Sequence, residues 1–460
     1  MTFQAQKPQP LVYIRTLLQN FLFHDMVILG RLSIRQLIDD DLSIVVLPHS
    51  ILLDPANDAI EAPHHPRYAI AHHMELFRQR AAQSYLDIFR AFCQNRCRVR
   101  RTLFHSLQDW ETVQIDAEEL DQLLQSYTGE KPLVYPPSSG AAPTHSLPLS
   151  SWAYQYKLRL MEWIVQLGFE LEIYQPDELA GMYWYLSYLS RTRAQHAERI
   201  KFFSSHSLPA SQTPSSPPRS QPISSPTTQR TLTLHHSHTH LTTLLSATTS
   251  SLSTALSNLY TTLSGLRLLP TPPRPYGSDI LRHELRMRPF APIGLPPLPG
   301  YEDFVRDVTQ PGTSTERLLE EAGRMAGVAK RGLEALGRVG REKSFTGGGG
   351  GGGGGSIGGG TGGGIGSGDD GGGDGGTEGS GSGNDGWCYQ RWSADIKNAL
   401  KTAIAVGVAV ETVKRAVDRR KSSGDEKAEG EEGLGLKVEV PKPEQGYHEW
   451  WIVPKVVETK

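Results

Sequence analysis

The sequence has little of several things that would place it in a familiar class of protein. Three cysteines in 460 residues are too few for a disulfide framework, so a reducing compartment suits the chain better than an oxidising one. A formal net charge of −2 argues against a wholly basic nucleic-acid coat, although it allows a local basic patch. No apolar run reaches the roughly 20 residues of a membrane helix, and the first residues lack the apolar core of a secretory signal. We therefore expect a cytoplasmic protein without a membrane segment.

Glycine is scarce outside one tract. Of the 47 glycines, 26 fall within Gly347–Gly386, a composition that behaves as flexible coil. A nucleophile-elbow pattern at Gly354–Gly358 lies inside this tract, where a glycine run generates such motifs by chance. The pattern also lacks the preceding strand and the following helix that an elbow requires. The tract therefore predicts a linker and no catalytic serine.

Most of the remaining sequence has the periodicity of helices. Arg67–Thr128 contains no proline or glycine, and its apolar residues recur at steps of three and four. This stretch is longer than an ordinary helix, so we expect two long helices with a break between them. A further helix should start at Ser150 or Ser151, both good N-caps, and another at Gln175–Glu178, where Pro176 suits the first turn.

The second half of the chain predicts weaker helices and two short strands. Leu241–Leu266 has an apolar stripe but is rich in serine and threonine, which are poor helix formers. Further helices are expected at Leu281–Arg288, at Thr315–Val339 and at Ala394–Arg419. The last of these should place Ile396, Leu400, Ile404 and Val408 on one face. Short strands are expected at Leu436–Val440 and Trp450–Val457.

These patterns predict a mainly α-helical scaffold of several helices, interrupted by long disordered insertions and ending in a few short strands. A segment of serine, proline and threonine cannot bury enough apolar surface to fold, so it is expected to be disordered. The expected regions are a helical region at 1–203, a disordered insertion at 204–240, a partly helical region at 241–345, a glycine-rich linker at 346–386 and a C-terminal helix with its tail at 387–460.

A run of arginines is the strongest electrostatic feature. Five of them fall within twelve residues that contain no acid: Arg90, Arg96, Arg98, Arg100 and Arg101. The next stretch, Thr102–Glu130, holds acids but neither lysine nor arginine. Two interpretations remain open. The run pairs with these acids, or it forms a face for a polyanion such as ribosomal RNA, in which case binding weakens as salt rises.

A second candidate surface lies near Gly168 and Pro176. Its acids fit either a substrate ammonium group or a solvated turn, and they are Glu170, Glu172, Asp177 and Glu178. Three consecutive aromatic residues follow, namely Tyr183, Trp184 and Tyr185. Helical neighbours are about 100° apart, so these three side chains cannot all face one core. Either at least one is exposed or meets a partner, or neighbouring elements bury the helix on several sides.

Histidine clusters and one glycine motif are weaker candidates for chemistry. Zinc needs three or four convergent ligands, whereas a polar helix start and an unconstrained segment explain the two clusters without metal. The clusters are His64, His65, His72 and His73, and His235, His236, His238 and His240. Arg324–Ala329 resembles the acetyl-coenzyme A pyrophosphate turn of GNAT acetyltransferases, but the preceding residues read as helix where that turn needs a strand. We predict no metal, no cofactor and no catalytic residue in this chain.

Five segments in a fixed order carry a specific resemblance to a known family. They are Ala91–Thr102, Asp109–Trp110, Leu147–Trp152, Tyr156–Tyr174 and Asp177–Tyr185. Together they are similar to the large auxiliary subunits of the N-terminal acetyltransferase complex NatC. The clear resemblance spans Tyr13–Phe203, and a weaker one covers Gly386–Lys414 and Tyr447–Pro454. The family also has an N-terminal half with a motif resembling Glu-Ile-Met-Asp-Pro-Lys-Met-Asp, absent here, so Met1 is expected to fall in the middle of the usual protein.

The resemblance implies a helical scaffold without a catalytic centre of its own. Its implied partners are a GNAT-type catalytic subunit, which would hold the acetyl-coenzyme A, a small Sm-like subunit, and the ribosome. The implied activity of that complex is acetylation of nascent chains that begin with methionine and a hydrophobic residue. Two alternatives remain: a helical RNA-binding or ribosome-binding protein that uses the arginine run without an acetyltransferase partner, and a metal-dependent enzyme built on the histidines.

Overall fold

A computed structural model describes twelve separate stretches of the chain. The described residues are 72–84, 96–128, 134–135, 144–145, 148–169, 173–207, 226–270, 278–309, 313–346, 384–423, 434–441 and 451–459. Their helices, in chain order, are α1 (72–84), α2 (Arg96–Thr128), α3 (Pro148–Gln166), α4 (Leu179–Ser207), α5 (Pro226–Gly265), α6 (Asp279–Met287), α7 (Tyr301–Phe304), α8 (Thr315–Thr346) and α9 (Asn384–Ser423).

Shorter elements join these helices. Single 3-10 turns cover Pro176–Glu178 and Arg288–Phe290, and a π turn covers Val305–Thr309. Two antiparallel strand pairs are present, β1 (Val134–Tyr135) with β2 (Thr144–His145) and β3 (Leu436–Glu439) with β4 (Lys455–Glu458). The mainly helical fold class predicted from the sequence is confirmed.

The long helices pack side by side in chain order, and the short helices α6 and α7 lie between α5 and α8 in sequence. α2 contacts α3, α3 contacts α4, α4 contacts α5, α5 contacts α8, and α8 contacts α9. A smaller core lies where α1, α2 and α3 meet, around the fully buried Trp110 and Trp152. The larger core runs through α4, α5, α8 and α9. Each layer therefore buries its apolar face against the next, and the chain forms a stack of helices.

Helix α5 lies at the centre of the larger core, although its serine and threonine content predicts a weak helix. Leu252, Leu256 and Leu259 are completely buried, and each buried leucine contributes about 1.5–3 kcal/mol. Its hydroxyl groups bond backbone carbonyls one turn earlier, and Ser257 Oγ donates to the carbonyl of Ala180 on α4 at 2.9 Å. Tertiary packing thus outweighs propensity.

The predicted boundaries of both low-complexity segments need correction. α4 extends to Ser207 and α5 begins at Pro226, so residues 204–207 and 226–240 are helical rather than part of an insertion. α9 begins at Asn384, so the predicted linker at 346–386 ends earlier than its glycine content indicates. In each case a helix with a buried face extends into neighbouring polar residues, because adding a residue to an existing helix needs no new nucleus.

Helix α3 starts at Pro148, two or three residues before the predicted serine cap. Asp121 of α2 takes the place of the cap, since its two carboxylate oxygens accept the backbone N–H groups of Leu149 and Ser150 at 3.1 and 2.8 Å. Pro148 has no N–H to satisfy. The predicted N-cap is wrong because the actual capping group comes from another helix.

The predicted face of α9 is also wrong. Ile396 is buried, but Ile404 and Val408 are 48% and 61% exposed. Steps of four residues advance about 400° around a helix, so the stripe drifts by about 40° at each step. The buried face follows mixed steps instead, through Ala399, Ala403, Val406, Val410 and Val413.

Candidate functional site

The start of α4 is organised by its own sequence. Pro176 opens the 3-10 turn that leads into α4, and Glu178 Oε2 accepts the backbone N–H of Gln175 at 2.9 Å. A carboxylate at this position satisfies a backbone donor and complements the positive end of the helix dipole. The predicted helix start is confirmed.

The two acids of this turn face α6 rather than solvent. Arg282 lies 3.1 Å from Asp177 Oδ2 and 2.6 Å from Glu178 Oε1, and all three side chains are largely buried. Arg286 approaches Glu178 Oε1 at 3.3 Å. Burial alone lowers the pKa of Arg282, but the charges of Glu178 and Asp177 outweigh it and raise that pKa above its usual value.

This arrangement corrects the prediction of a substrate-proximal acidic surface for Asp177 and Glu178. The two carboxylates hold α6 against α4, and neither is directed at an open surface. Their charges are already matched by guanidinium groups, which leaves little to attract a substrate ammonium. Glu170 and Glu172, predicted to belong to the same surface, lie outside the described residues.

The aromatic row is divided between two sides of α4. Tyr183 and Tyr185 are 0% and 1% exposed, whereas Trp184 is half-buried. Tyr185 meets Phe290 edge-on at 5.1 Å between ring centroids. The helix is therefore buried on several sides, as one of the two sequence interpretations required. The predicted partner or substrate contact does not fit Tyr183 and Tyr185, which have no exposed surface.

Tyr183 fastens the C-terminal segment to the core. Its ring stacks between Tyr260 of α5 and Trp451, with interplanar angles of 11° and 6°. Its hydroxyl oxygen accepts the backbone N–H of Ile452 at 2.7 Å, and Tyr260 donates to the carbonyl of the same residue at 2.9 Å. Burial raises the pKa of Tyr183 well above its usual range, so the hydroxyl stays protonated. Trp451 and Ile452 are thus engaged with the core, and β4 starts at Lys455, later than the predicted Trp450.

Trp184 lines an open cleft of about 1410 Å³. We call it the α4–α5 cleft, because its floor is formed by α4 and α5 and its wall by the segment around α7. Its described lining residues include Trp184, Tyr188, Arg191, Asn258, Pro297, Tyr301, Glu302, Asp303, Arg306 and Asp307. Sequence reasoning found only Trp184 among them. Asn258, a carboxamide between Leu256 and Leu259 of the predicted apolar stripe, was a signal that could have indicated the site.

The arginine run is only partly described. Arg90 lies outside the described residues; Arg96 and Arg98 belong to α2, but their side chains are outside the description. Arg100 and Arg101 are exposed. Three acids of the following stretch have partners elsewhere: Asp116 pairs with Arg80, Glu111 with Lys157, and Asp121 caps α3. These three acids are matched without help from the run, but Arg100 has a contact of its own, so both interpretations of the run stay open.

Arg324–Ala329 and His196, a histidine outside both predicted clusters, have structural surroundings. Arg324–Ala329 lies in the interior of α8, so its backbone amides are not arranged around an anion and do not fit a pyrophosphate. Burial lowers the pKa of His196 to about 4, and the carbonyl of Ser151 holds its ring. No three histidine, cysteine, aspartate or glutamate side chains converge on a metal position in the described ranges. Within those ranges, no helix has the length and apolar character to cross a membrane.

Comparison with known proteins identifies relatives of one kind. A family model described as "NAA35-like, TPR repeats" matches residues 1–426. The curated "N-alpha-acetyltransferase 35, NatC auxiliary subunit" of Gallus gallus is 34% identical over 124 residues, which cover 24% of this chain and 16% of that protein. The Saccharomyces cerevisiae protein of the same description is 24% identical over 261 residues, covering 53% and 32%.

Solved structures show the same fold. A chain of "Crystal structure of the NatC complex bound to Gag peptide and CoA" superposes with a TM-score of 0.58 at 17% identity, covering 95% of this chain and 53% of the other. A chain of the apo NatC complex gives 0.56 and covers 95% and 52%. This chain therefore spans about half the length of the solved chains that it matches.

Proposed function

The chain belongs to the NAA35-like family with TPR repeats, and from this membership we propose that it is a non-catalytic auxiliary subunit of the N-terminal acetyltransferase complex NatC. The observation that carries the proposal is the family match along residues 1–426. The fold shared with chains of NatC crystal structures supports it. Since the chain spans about half of those chains, the activity and partners of the whole protein are proposed rather than transferred.

A scaffold role suits the way in which the chain uses its polar groups. The described acids and bases that are buried serve to join helices, as Arg282 does with Asp177, and Arg193 with Glu162 at 2.7 Å. A general acid or base must be able to reach a substrate and titrate near the working pH. Groups engaged in helix contacts serve rigidity instead, and a rigid stack of helices can hold a partner in a fixed position.

The partners that we propose are a GNAT-type catalytic subunit and a small Sm-like subunit. Acetyl-coenzyme A would bind to the catalytic subunit, and the substrates would be nascent chains that begin with methionine and a hydrophobic residue. Related crystal structures are of NatC complexes bound to Gag peptide and CoA and to Arl3 peptide and CoA. In the proposed division of labour, the catalytic subunit holds these ligands and this chain positions it.

We further propose that the exposed arginines of α2 contribute to ribosome association in the cytoplasm. Arg100 and Arg101 are exposed at the N-terminal part of α2, and nearby acids pair with Arg80 and Lys157. Each phosphate contact makes affinity fall as salt rises. Reversal of Arg96, Arg98, Arg100 and Arg101 to Glu should release the chain from ribosomes at a lower salt concentration in co-sedimentation. Unchanged co-sedimentation by a folded variant would remove this part of the proposal.

Co-purification tests the auxiliary role. The full chain, tagged, is expressed together with a NatC catalytic subunit and the small subunit, and the eluted material is analysed by mass spectrometry and gel filtration. A complex containing the catalytic subunit in constant ratio supports the proposal. Recovery of nuclease-sensitive nucleic acid alone supports an RNA-binding protein instead, and stoichiometric zinc without a partner supports a metalloenzyme.

A further inference from the structure

The floor of the α4–α5 cleft contains a polar group without a partner. Asn258 is only 8% exposed and lines the cleft, yet its carboxamide makes no hydrogen bond within the described part of the chain. Its polar neighbours are satisfied: Ser257 donates to Ala180, and Ser187 Oγ lies 2.8 Å from Thr254 Oγ1. The atoms of this amide are not fully enclosed, so solvent reaches them from the cleft. The geometry therefore leaves one donor-and-acceptor group available to a ligand.

A carboxamide offers the same donor and acceptor pair as a peptide unit. It can therefore form two complementary hydrogen bonds with the backbone of an extended polypeptide segment. The cleft suits such a ligand in size, since about 1410 Å³ exceeds the roughly 300–1,000 Å³ of ordinary small-molecule pockets. Its open shape between two helices and the α7 segment suits a chain that passes through it.

Aromatic rings form part of the wall. Trp184 is half-buried, and its indole N–H donates to Asp307 Oδ2 at 3.2 Å, which fixes the ring. Tyr188 donates its hydroxyl to the carbonyl of Pro297 at 2.9 Å. The faces of such rings attract lysine and arginine side chains. Because both rings are held by hydrogen bonds, little side-chain entropy is lost when a ligand packs against them.

The charges of the cleft favour a cationic ligand. Carboxylates outnumber guanidinium groups among its described lining residues, which carry Glu302, Asp303, Asp307 and Glu321 against Arg191 and Arg306. Glu321 is already paired with Arg324, so the acidic excess lies in the segment around α7. The guanidinium of Arg306 lies 3.0 Å from Asp303 Oδ1 and 2.9 Å from Asp307 Oδ1, so the two carboxylates share it. Glu302 is exposed and has no ion pair within the described ranges. Basic side chains would therefore find complementary charge at Glu302 and at the aspartate pair that shares one arginine.

From the unbonded carboxamide, the fixed rings and the acidic rim together, we propose that the α4–α5 cleft binds an extended basic segment of another polypeptide chain. The main chain of the segment bonds Asn258, and its lysine or arginine side chains reach the rings and Glu302. This proposal is independent of the NatC assignment, which rests on the family match, so either can fail without the other.

Binding of defined peptides to the full chain tests the proposal. Three fluorescein-labelled peptides share a backbone of alanine, glycine and leucine and differ only in carrying lysine and arginine, glutamine, or glutamate at the same positions. Fluorescence anisotropy should give the tightest binding for the basic peptide and none for the acidic one, with affinity falling as salt rises. Equal binding of the three peptides, preference for the acidic one or no binding of any would overturn the proposal.

Charge variants locate the site. Glu302→Lys should lower the affinity for the basic peptide about fivefold, and Arg191→Glu should raise that affinity by a similar factor. A fivefold change is at the upper end of what one exposed charge pair contributes. Neither residue has a described ion pair to lose, so both variants should fold. Glu119→Lys is the matched control, because Glu119 is exposed on α2 and is not among the lining residues. An effect of Glu119→Lys equal to that of Glu302→Lys would place binding elsewhere and overturn the proposal.

Asn258→Leu separates recognition from folding. The variant removes the carboxamide but keeps a side chain of similar volume. It should lower the affinity for the basic peptide about tenfold, as expected for the loss of two hydrogen bonds. The temperature of unfolding should change little, because the carboxamide reaches the cleft and makes no hydrogen bond that the described chain would lose. Unchanged peptide affinity in a folded variant would overturn the role of Asn258. Concentration-dependent dimers that Glu302→Lys dissociates would identify a second copy of the chain as the occupant instead.

Discussion

Arg282 provides the sharpest test of whether the acids at the start of α4 are structural. Its guanidinium is 13% exposed and contacts Glu178 at 2.6 Å and Asp177 at 3.1 Å. Arg282→Met removes the charge while keeping an unbranched side chain in place. Two largely buried carboxylates would then lose their principal partner, which ordinarily costs about 3–5 kcal/mol. Arg286 remains 3.3 Å from Glu178, so we expect the lower end, about 3 kcal/mol.

Urea unfolding followed by circular dichroism measures this cost as a change in the free energy of unfolding. Arg306→Met is the matched control, because Arg306 also joins two carboxylates but is 68% exposed, and its loss should change stability little. Combining Arg282→Met with Asp177→Asn should recover part of the loss, since Asp177 then carries no charge and Glu178 keeps Arg286 as its partner. An unchanged midpoint of urea unfolding for Arg282→Met would refute the structural role.

Two further predictions concern α3 and α8. Burial raises the pKa of Asp121 from 3.8 to about 6, even though the backbone N–H groups of Ser150 and Leu149 lower it. The stability that this raised pKa provides is therefore complete below pH ~4 and lost as pH rises through ~6. The difference in the free energy of unfolding between the original chain and Asp121→Asn should change by about 3 kcal/mol across this range. A difference that stays constant with pH in urea unfolding would contradict this. At Gly332 a new Cβ would collide with Thr248 of α5, whereas nothing lies within 4 Å at Gly337. Thermal unfolding should thus show Gly332→Ala destabilised and Gly337→Ala stabilised by about 0.5–1 kcal/mol, and equal shifts would contradict the close approach of α8 to α5.

Elements with local signals were predicted well. α2 ends at Thr128, immediately before Gly129, and the turn at Pro176 opens α4 where proline and two acids indicate a start. Glycine and proline act through their own backbone preferences, so their effects are visible in a short window of sequence. The aromatic row was informative for the same reason: rotation of about 100° per residue already requires that Tyr183 and Trp184 face different directions.

Elements set by distant residues were predicted poorly. The cap of α3 comes from Asp121 on α2, and no local pattern at Ser150 reveals it. The acids at Asp177 and Glu178 looked available because Arg282, their partner, is about a hundred positions away in sequence. The α4–α5 cleft likewise combines segments that are far apart along the chain. Such features depend on tertiary packing, which a single sequence does not display.

The central claim is that this chain supports a catalytic subunit and does no chemistry itself. The most direct measurement is acetyl transfer to a peptide beginning Met-Leu, with acetyl-coenzyme A, by the catalytic subunit alone, by this chain alone, and by the two together with the small subunit. We predict no transfer by this chain alone and a higher kcat/KM for the catalytic subunit when the chain is added, saturating at a fixed ratio. Acetyl transfer by the isolated chain, or a catalytic subunit that neither binds the chain nor changes in activity, would contradict the account.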